Sequence, residues 1–142
     1  MWQRFKTWCE RLGWLQPRSI GDRGEDEAWA FLQAAGYKLL ARNWRNPRDR
    51  REEIDLVCRD GDVLVFVEVK SRGANALVPG YYTVNARKKA VLRRAATAYL
   101  RKMRPPAEVF RLDVVEVATG EGVAPQVRHF ENVPLWPKHF RP

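Results

Sequence analysis

Two runs rich in β-branched and apolar residues, Ile54-Asp55-Leu56-Val57-Cys58 and Val63-Leu64-Val65-Phe66-Val67-Glu68-Val69, flank Asp60-Gly61. That pair predicts a β-hairpin, because a two-residue type I′ loop needs positive φ at both central positions, which Asp and Gly tolerate. With Asp60-Gly61 as the loop, Arg59 faces Asp62, Val57 faces Leu64, Asp55 faces Phe66 and Glu53 faces Glu68. Asp55 and Glu68 are then diagonal neighbours on one face, about 7–8 Å apart by backbone, and Lys70 points the same way. Val57, Leu64 and Phe66 share that face, while Ile54, Leu56, Val63, Val65, Val67 and Val69 form the other. A hairpin apolar on both sides belongs in the middle of a sheet with helices covering each face.

The rest of the chain supplies those covers. Residues 1–18 space Trp2, Phe5, Trp8, Cys9 and Leu12 at helical steps between Arg4, Lys6 and Arg11, an amphipathic extension closed by Gly13 and Pro17. A helix is expected from Asp22 or Arg23 to about Ala35, with Gly36 as its left-handed cap and Ala28, Trp29 and Leu32 inward. Glu25 has two readings there: a carboxylate leaning over the sheet, or the second half of a capping box begun by Asp22. Tyr37 to Asn43 predicts a strand, and Arg45 to Glu52 a charged loop holding Arg45, Arg48, Arg50 and Arg51. Ser71 to Tyr82 reads as a long connection. Asn85 to Met103 then forms a helix ended by Pro105-Pro106, with Val91, Leu92, Ala95, Ala96, Tyr99 and Leu100 as its core face. Glu108 to Val117 and Ala124 to Phe130 are strands joined by a Gly-rich turn. The tail from Val133 to Pro142, with three prolines, Trp136 and Phe140, matches no regular element. The order predicts an α/β three-layer sandwich, a central mixed β-sheet flanked by helices, over residues 19–132.

Charge changes the picture from fold to partner. The chain has 142 residues and a formal net charge of +9, which points to a polyanion, nucleic acid above all and an acidic membrane surface second. The exposed side of the Asn85–Met103 helix carries Arg87, Lys88, Lys89, Arg93 and Arg94 among its basic residues and no acidic one, a pattern suited to phosphate contact. The two cysteines, Cys9 and Cys58, have neither zinc nor disulfide spacing, which fits a reducing cytoplasm. No run approaches the roughly eighteen apolar residues of a spanning helix, and no secretory signal opens the chain. A cytoplasmic location is the expectation.

Asp55, Glu68 and Lys70 are a poor choice for a packed face, since burying unpaired charge is costly; they should answer to one another or to a metal. An Asp, a turn and an apolar strand ending in Glu-x-Lys resembles the PD-(D/E)XK nucleases. A longer set of landmarks resembles the YraN-like family of bacterial proteins: Gly24-Glu25, Gly36-Tyr37, Asn43-Trp44-Arg45, Glu53-Ile54-Asp55-Leu56, Phe66 to Arg72, Val84 with Lys88, Ala95-Ala96, Tyr99-Leu100 and Arg111 to Val115. The resemblance implies the restriction-endonuclease-like fold and a site like that of Holliday-junction resolvases. It assigns Asp55, Glu68 and the helix carboxylate Glu25 as ligands of Mg²⁺ (Mn²⁺ as substitute), the Val69 carbonyl as a further ligand, and Lys70 as the catalytic lysine. Two positions depart from the pattern. Glu52 stands where Gly usually precedes Glu-Ile-Asp, and the helix after Glu-x-Lys lacks the Gln of RecB-like nucleases, leaving Lys88 as its substitute.

The expected function is Mg²⁺-dependent phosphodiester hydrolysis of DNA, with preference for junctions, flaps or ends, gripped by Arg45, Arg48, Arg50, Arg51, Arg72 and the basic helix. The alternative is a nucleic-acid-binding accessory protein that keeps the fold without cleaving. A third class, a membrane-surface adaptor, would use the N-terminal aromatic helix. Two-fold-symmetric junctions would favour a homodimer.

Overall fold

The computed structural model describes residues 20–73 and 84–142. The N-terminal extension and most of the connection after Arg72, including Tyr81 and Tyr82, lie outside the described residues. Helix α1 (Ile20–Ala34) leads into strands β1 (Lys38–Asn46), β2 (Asp49–Asp60) and β3 (Val63–Gly73), followed by helix α2 (Ala86–Lys102) and strands β4 (Phe110–Gly120) and β5 (Val123–Phe130). The strands form one sheet in the order β1-β2-β3-β4-β5. Only β3 and β4, joined through α2, run parallel; the other three pairs are antiparallel. This is the mixed-sheet α/β sandwich expected of the sequence.

Both helices begin and end for local reasons. Gly36, at φ 94°, closes α1 as Tyr37 N–H reaches back to the Leu32 carbonyl and Gly36 N–H to that of Gln33, the paired bonds of a Schellman cap. At the other helix, the Asn85 side chain accepts the Lys88 N–H and caps α2. Because α1 starts at Ile20, Asp22 lies within the helix and cannot be its N-cap. The capping-box reading of Glu25 therefore falls, and Glu25 is an interior helical residue.

Each helix covers one face. Ala28 and Leu32 of α1 pack with Leu56, Cys58, Val65, Val67, Val115 and Val117. Leu92, Ala95, Ala96 and Leu100 of α2 pack with Ile54, Val57, Leu64, Phe66, Leu112 and Val114. Ile54 was expected beside Leu56, but it sits with Val57 on the α2 side, so alternation breaks across Asp55. The partner strand shows the same disturbance: Asn43 of β1 has φ 48°, and the β1–β2 register shifts between Leu39 and Ala41. In β1, Ala41 and Trp44 meet the α2-side core while Arg42 turns toward α1.

The segment from Arg45 to Glu52 is not a long loop. It forms the tip of the β1–β2 hairpin, with Asn46 paired to Asp49, and the Asn46 amide held by the buried Glu52 carboxylate at 2.8 Å. Charge hid the strand, because Arg45, Arg48, Arg50 and Arg51 point to solvent and the two buried positions, Asn46 and Glu52, are polar and satisfy each other.

The tail, unreadable in sequence, completes the α2-side core. Val133 N–H bonds the Leu112 carbonyl at 2.8 Å, Leu135 is 4% exposed, and the Trp136 ring lies 4.8 Å from Phe110 and 5.9 Å from both Phe66 and Phe140. Isolated aromatics between prolines give no periodicity, yet each finds a pocket. Leu135→Ala and Trp136→Ala should each lower unfolding stability by about 3 kcal/mol, the usual cost of emptying a buried apolar site, as read by urea titration.

Candidate active site

The β2–β3 hairpin pairs Asp60 with Val63, Arg59 with Leu64, Val57 with Phe66 and Leu56 with Val67. The loop is thus Gly61-Asp62, two residues' register away from the Asp60-Gly61 loop expected. The reason lies in the turn: Gly61 alone takes positive φ, at 57°, the sign pattern of a type II′ turn with Gly at its first position. Asp60 remains in the strand, where its carboxylate meets Arg111 at 3.0 Å. A shift of two preserves the facing of the side chains within the paired stretch, Leu56 to Asp60 and Val63 to Val67. Counted on from Leu56 and Val67, it also brings Asp55 and Glu68, expected as diagonal neighbours, to corresponding positions just past the end of the ladder.

Backbone pairing ends just before that point. Asp55 Oδ2 accepts the Val69 N–H at 2.7 Å, so the carboxylate itself ties the two strands together where the ladder stops. Glu68, 3% exposed, meets Lys88 Nζ of α2 through Oε1 at 3.2 Å. Its Oε2 is buried without a hydrogen-bond partner, and such an orphaned acceptor is costly unless a cation or water answers it. Burial, with the adjacent Asp55 charge second, pushes the Glu68 pKa up to about 7 against the opposing pull of Lys88 and Lys70. Burial likewise raises Asp55, opposed by the Val69 amide and Lys88. Two neighbouring carboxylates both shifted upward do not readily ionise together.

The remaining predicted residues fall into three places. Lys70 lies two positions beyond Glu68 on the α2-side face, close enough for its charge to act on Glu68; the direct ion pair with Glu68 belongs to Lys88, the residue noted as standing in for Gln. Val69 meets the site through its amide. Glu25 lies on α1 with its carboxylate 3.8 Å from Arg42 Nη2. Among the described residues, no three His, Cys, Asp or Glu side chains converge as a ready metal cage. Gly24, just before Glu25, approaches β3 so closely that an added Cβ would fall 1.7 Å from Ser71 Oγ, which holds this end of α1 against the strand that carries Glu68 and Lys70.

The arginines divide in turn. Arg45 pairs with Glu53 at 2.9 Å, Arg51 with Asp49 and Arg94 with Glu52, while Arg93 Nε donates to the Leu135 carbonyl. Arg50 and Arg87 are exposed and Lys89 is partly so. Arg72 Nε stands 3.5 Å from Glu116.

Glu116 is a residue the sequence reading passed over. It lies opposite Lys70 in the parallel β3–β4 register, is 2% exposed, and buries an Oε2 without a hydrogen-bond partner. Its signal was present: a carboxylate in line with Phe110, Leu112 and Val114 on an apolar strand face. A second acidic centre lies on the α1 side. Asp113, fully buried, accepts bonds from Arg111 and from the Asn132 N–H and contacts His129. Burial alone would raise its pKa, but those bonds win and hold it below the usual range.

An α/β sandwich of restriction-endonuclease-like form, with an acidic pair where its central hairpin stops pairing, defines the structural class. Residues 24–117 match the model of the uncharacterised protein family UPF0102. The chain is 38% identical over 118 residues to a UPF0102 protein of Geobacter metallireducens, covering 83% of this chain and 93% of the relative. To one of Symbiobacterium thermophilum it is 43% identical over 116 residues, covering 81% and 95%, and to one of Methylibium petroleiphilum 44% over 111 residues, covering 75% and 89%. The chain belongs to the UPF0102 family, the family that the YraN-like landmarks indicated.

The raised Glu68 pKa sets the sign of a pH effect. A carboxyl that holds its proton more tightly when folded weakens the fold as pH rises from its ordinary 4.5 to about 7. Glu68→Gln should remove that loss, raising the stability of the metal-free protein at pH 8 by on the order of 1 kcal/mol and changing it little at pH 4, as measured by thermal melts.

Proposed function

We propose that this protein is a Mg²⁺-dependent phosphodiesterase acting on DNA, with Mn²⁺ as a substitute ion. The observation that carries the reading is the buried Glu68 Oε2, without a hydrogen-bond partner, beside Asp55, two carboxylates whose pKa values both rise chiefly through burial. An all-oxygen donor set of this kind suits a hard divalent cation. Asp55 and Glu68 would hold it, with the Val69 carbonyl and Glu25 as the further ligands the family resemblance implies. A divalent ion there supplies Lewis-acid polarisation of a phosphoryl oxygen and a lowered pKa for bound water.

The chain's own groups do the rest. Lys70, on the same side of β3 as Glu68, orients the attacking water or neutralises charge developing on the phosphoryl oxygens. Lys88, already on Glu68 Oε1, balances the acidic pair while the substrate is absent. Arg72 and the cations along α2 contact phosphates without reading sequence. Branched or junction DNA fits this sequence-independent grip, and a two-fold-symmetric substrate would be met by a dimer.

The Lys88–Glu68 contact also favours a second reading. An internal ammonium that serves as the counter-ion fits a nucleic-acid-binding protein that retains the nuclease fold and does not cleave.

Purified protein assayed with Mg²⁺ or Mn²⁺ on branched, single-stranded and duplex DNA separates the two. Nicking or cleavage is expected, with Asp55→Asn and Glu68→Gln each lowering kcat by about 100-fold or more. Cleavage that survives both substitutions removes the proposed site. Binding without turnover, undiminished in the same variants, establishes the accessory role.

A further inference from the structure

Between α2 and the β1–β2 hairpin runs a trough made of two contiguous hollows of about 650 and 310 Å³, which share Asp49, Glu52 and Arg94 in their walls. Arg87, Arg94 and Arg101 line it from the helix. Seven-residue spacing drifts only about 20° around a helix, so these three stand in one row along the axis. At about 1.5 Å per residue the row is about 21 Å long. Arg48 and Arg51 face it from the hairpin side, and Arg93 and Lys102 add to its lining.

Seven cationic side chains therefore line the trough against two carboxylates. Both carboxylates are already engaged, Asp49 by Arg51 and Glu52 by Arg94. Arg48, Arg87 and Arg101 form no ion pair with a described residue. The row also begins where cations are least welcome. Arg87, Lys88 and Lys89 occupy the first turn of α2, which has no acidic residue, at the positive end of the helix dipole. Only Lys88 is answered within the described structure, by Glu68. An arrangement this unfavourable for the isolated protein becomes favourable once a polyanion lies along it.

We propose that this trough carries a single-stranded DNA segment leading away from the Asp55–Glu68 pair. The inference rests on the nuclease reading above and narrows its substrate class to DNA with a single-stranded arm, such as a flap or an unpaired end. Cations on two walls converge on one chain. A cationic groove of this kind tracks the single backbone of a lone strand, whereas a duplex carries two backbones separated by its grooves. The near end of the row is Arg87, and its neighbour in sequence, Lys88, reaches Glu68, so that end of the trough is the one nearer the acidic pair.

The experiment is fluorescence anisotropy with a labelled 20-nucleotide oligothymidylate and a blunt duplex of equal length, in EDTA so that binding is read without turnover. The double reversal Arg48→Glu/Arg101→Glu alters two exposed residues of the trough. Lys38→Glu/Lys138→Glu makes the same change in net charge at exposed positions outside it. The trough variant should bind the single strand at least about tenfold more weakly, with its log–log salt slope reduced by about 0.7 per lost phosphate contact. The control should change affinity by less than about threefold, with the slope preserved. Equal losses in the two variants, or a parent that prefers the blunt duplex and loses that preference with the trough, would overturn the proposal. Melting curves confirm that both variants are folded. Cleavage by Asp55→Asn, assayed in parallel, tests the nuclease reading separately: the trough can fail while the acidic pair stands, and the reverse.

Discussion

Everything chemical in this fold depends on the place where β2 and β3 cease to pair. Along the ladder, backbone groups satisfy one another and Val57, Leu64 and Phe66 form an apolar patch on the α2 side. One step beyond Leu56 and Val67 the Asp55 carboxylate takes the Val69 N–H, and the facing residue is Glu68. The substitution of a side chain for a backbone acceptor leaves two acids opposed on a nearly closed surface. Their repulsion is opposed by the Val69 amide and by Lys88. Neither helix could relieve it by apolar packing, since a buried charge needs a partner and not merely contact.

The flanking elements serve this point in different ways. On the α1 side, Gly24 lets the helix rest on Ser71, fixing the strand segment that bears Lys70. On the α2 side, Asn85 caps the helix and brings Lys88 within reach of Glu68. The tail closes the same layer, with Leu135 accepting a bond from Arg93 and Trp136 packed against Phe66, the residue two positions before Glu68. Glu52 explains its own departure from the family pattern. A glycine there would have no side chain to bond Asn46 and Arg94, and that bond joins the tip of the β1–β2 hairpin to α2.

Which of this was legible in the chain follows from periodicity. The hairpin, both helices and the two last strands announced themselves through alternating or helical apolar spacing, and an error of two in register left side-chain sense within the paired stretch intact because it has period two. What failed to show were features that use no apolar period. The β1–β2 tip is written in arginines and Asp49, the tail in isolated aromatics between prolines, and the break in alternation at Asp55 in a backbone twist whose nearest marker is Asn43 at φ 48°. Glu116 and Asp113 stood in plain view on β4, but a single strand cannot tell which acid meets Lys70 or Arg72 and which meets His129; that required the parallel register with β3. Lys88 was visible only as a replacement for Gln, because its contact crosses from helix to sheet.

The division of charge between the two faces of the sheet is the last consequence. On the α1 side the buried Asp113 is fully answered by Arg111, His129 and the Asn132 amide, and its pKa falls; that network is closed and serves the fold. On the α2 side Glu68 keeps an acceptor oxygen without a partner and its pKa rises. The same kind of residue, equally hidden from solvent, is thus satisfied on one face and left wanting on the other. A protein that needed only to bury these acids had the means to pair both, as the Asp113 network shows. Glu68 and Glu116, each with a buried carboxylate oxygen lacking a hydrogen-bond partner, lie on the face that also carries the cationic row of α2, so buried acids and a surplus of cations along the helix are adjacent. The proposed substrate, a phosphodiester chain accompanied by a divalent cation, would answer both at once, the cation at the carboxylates and the phosphates along the helix.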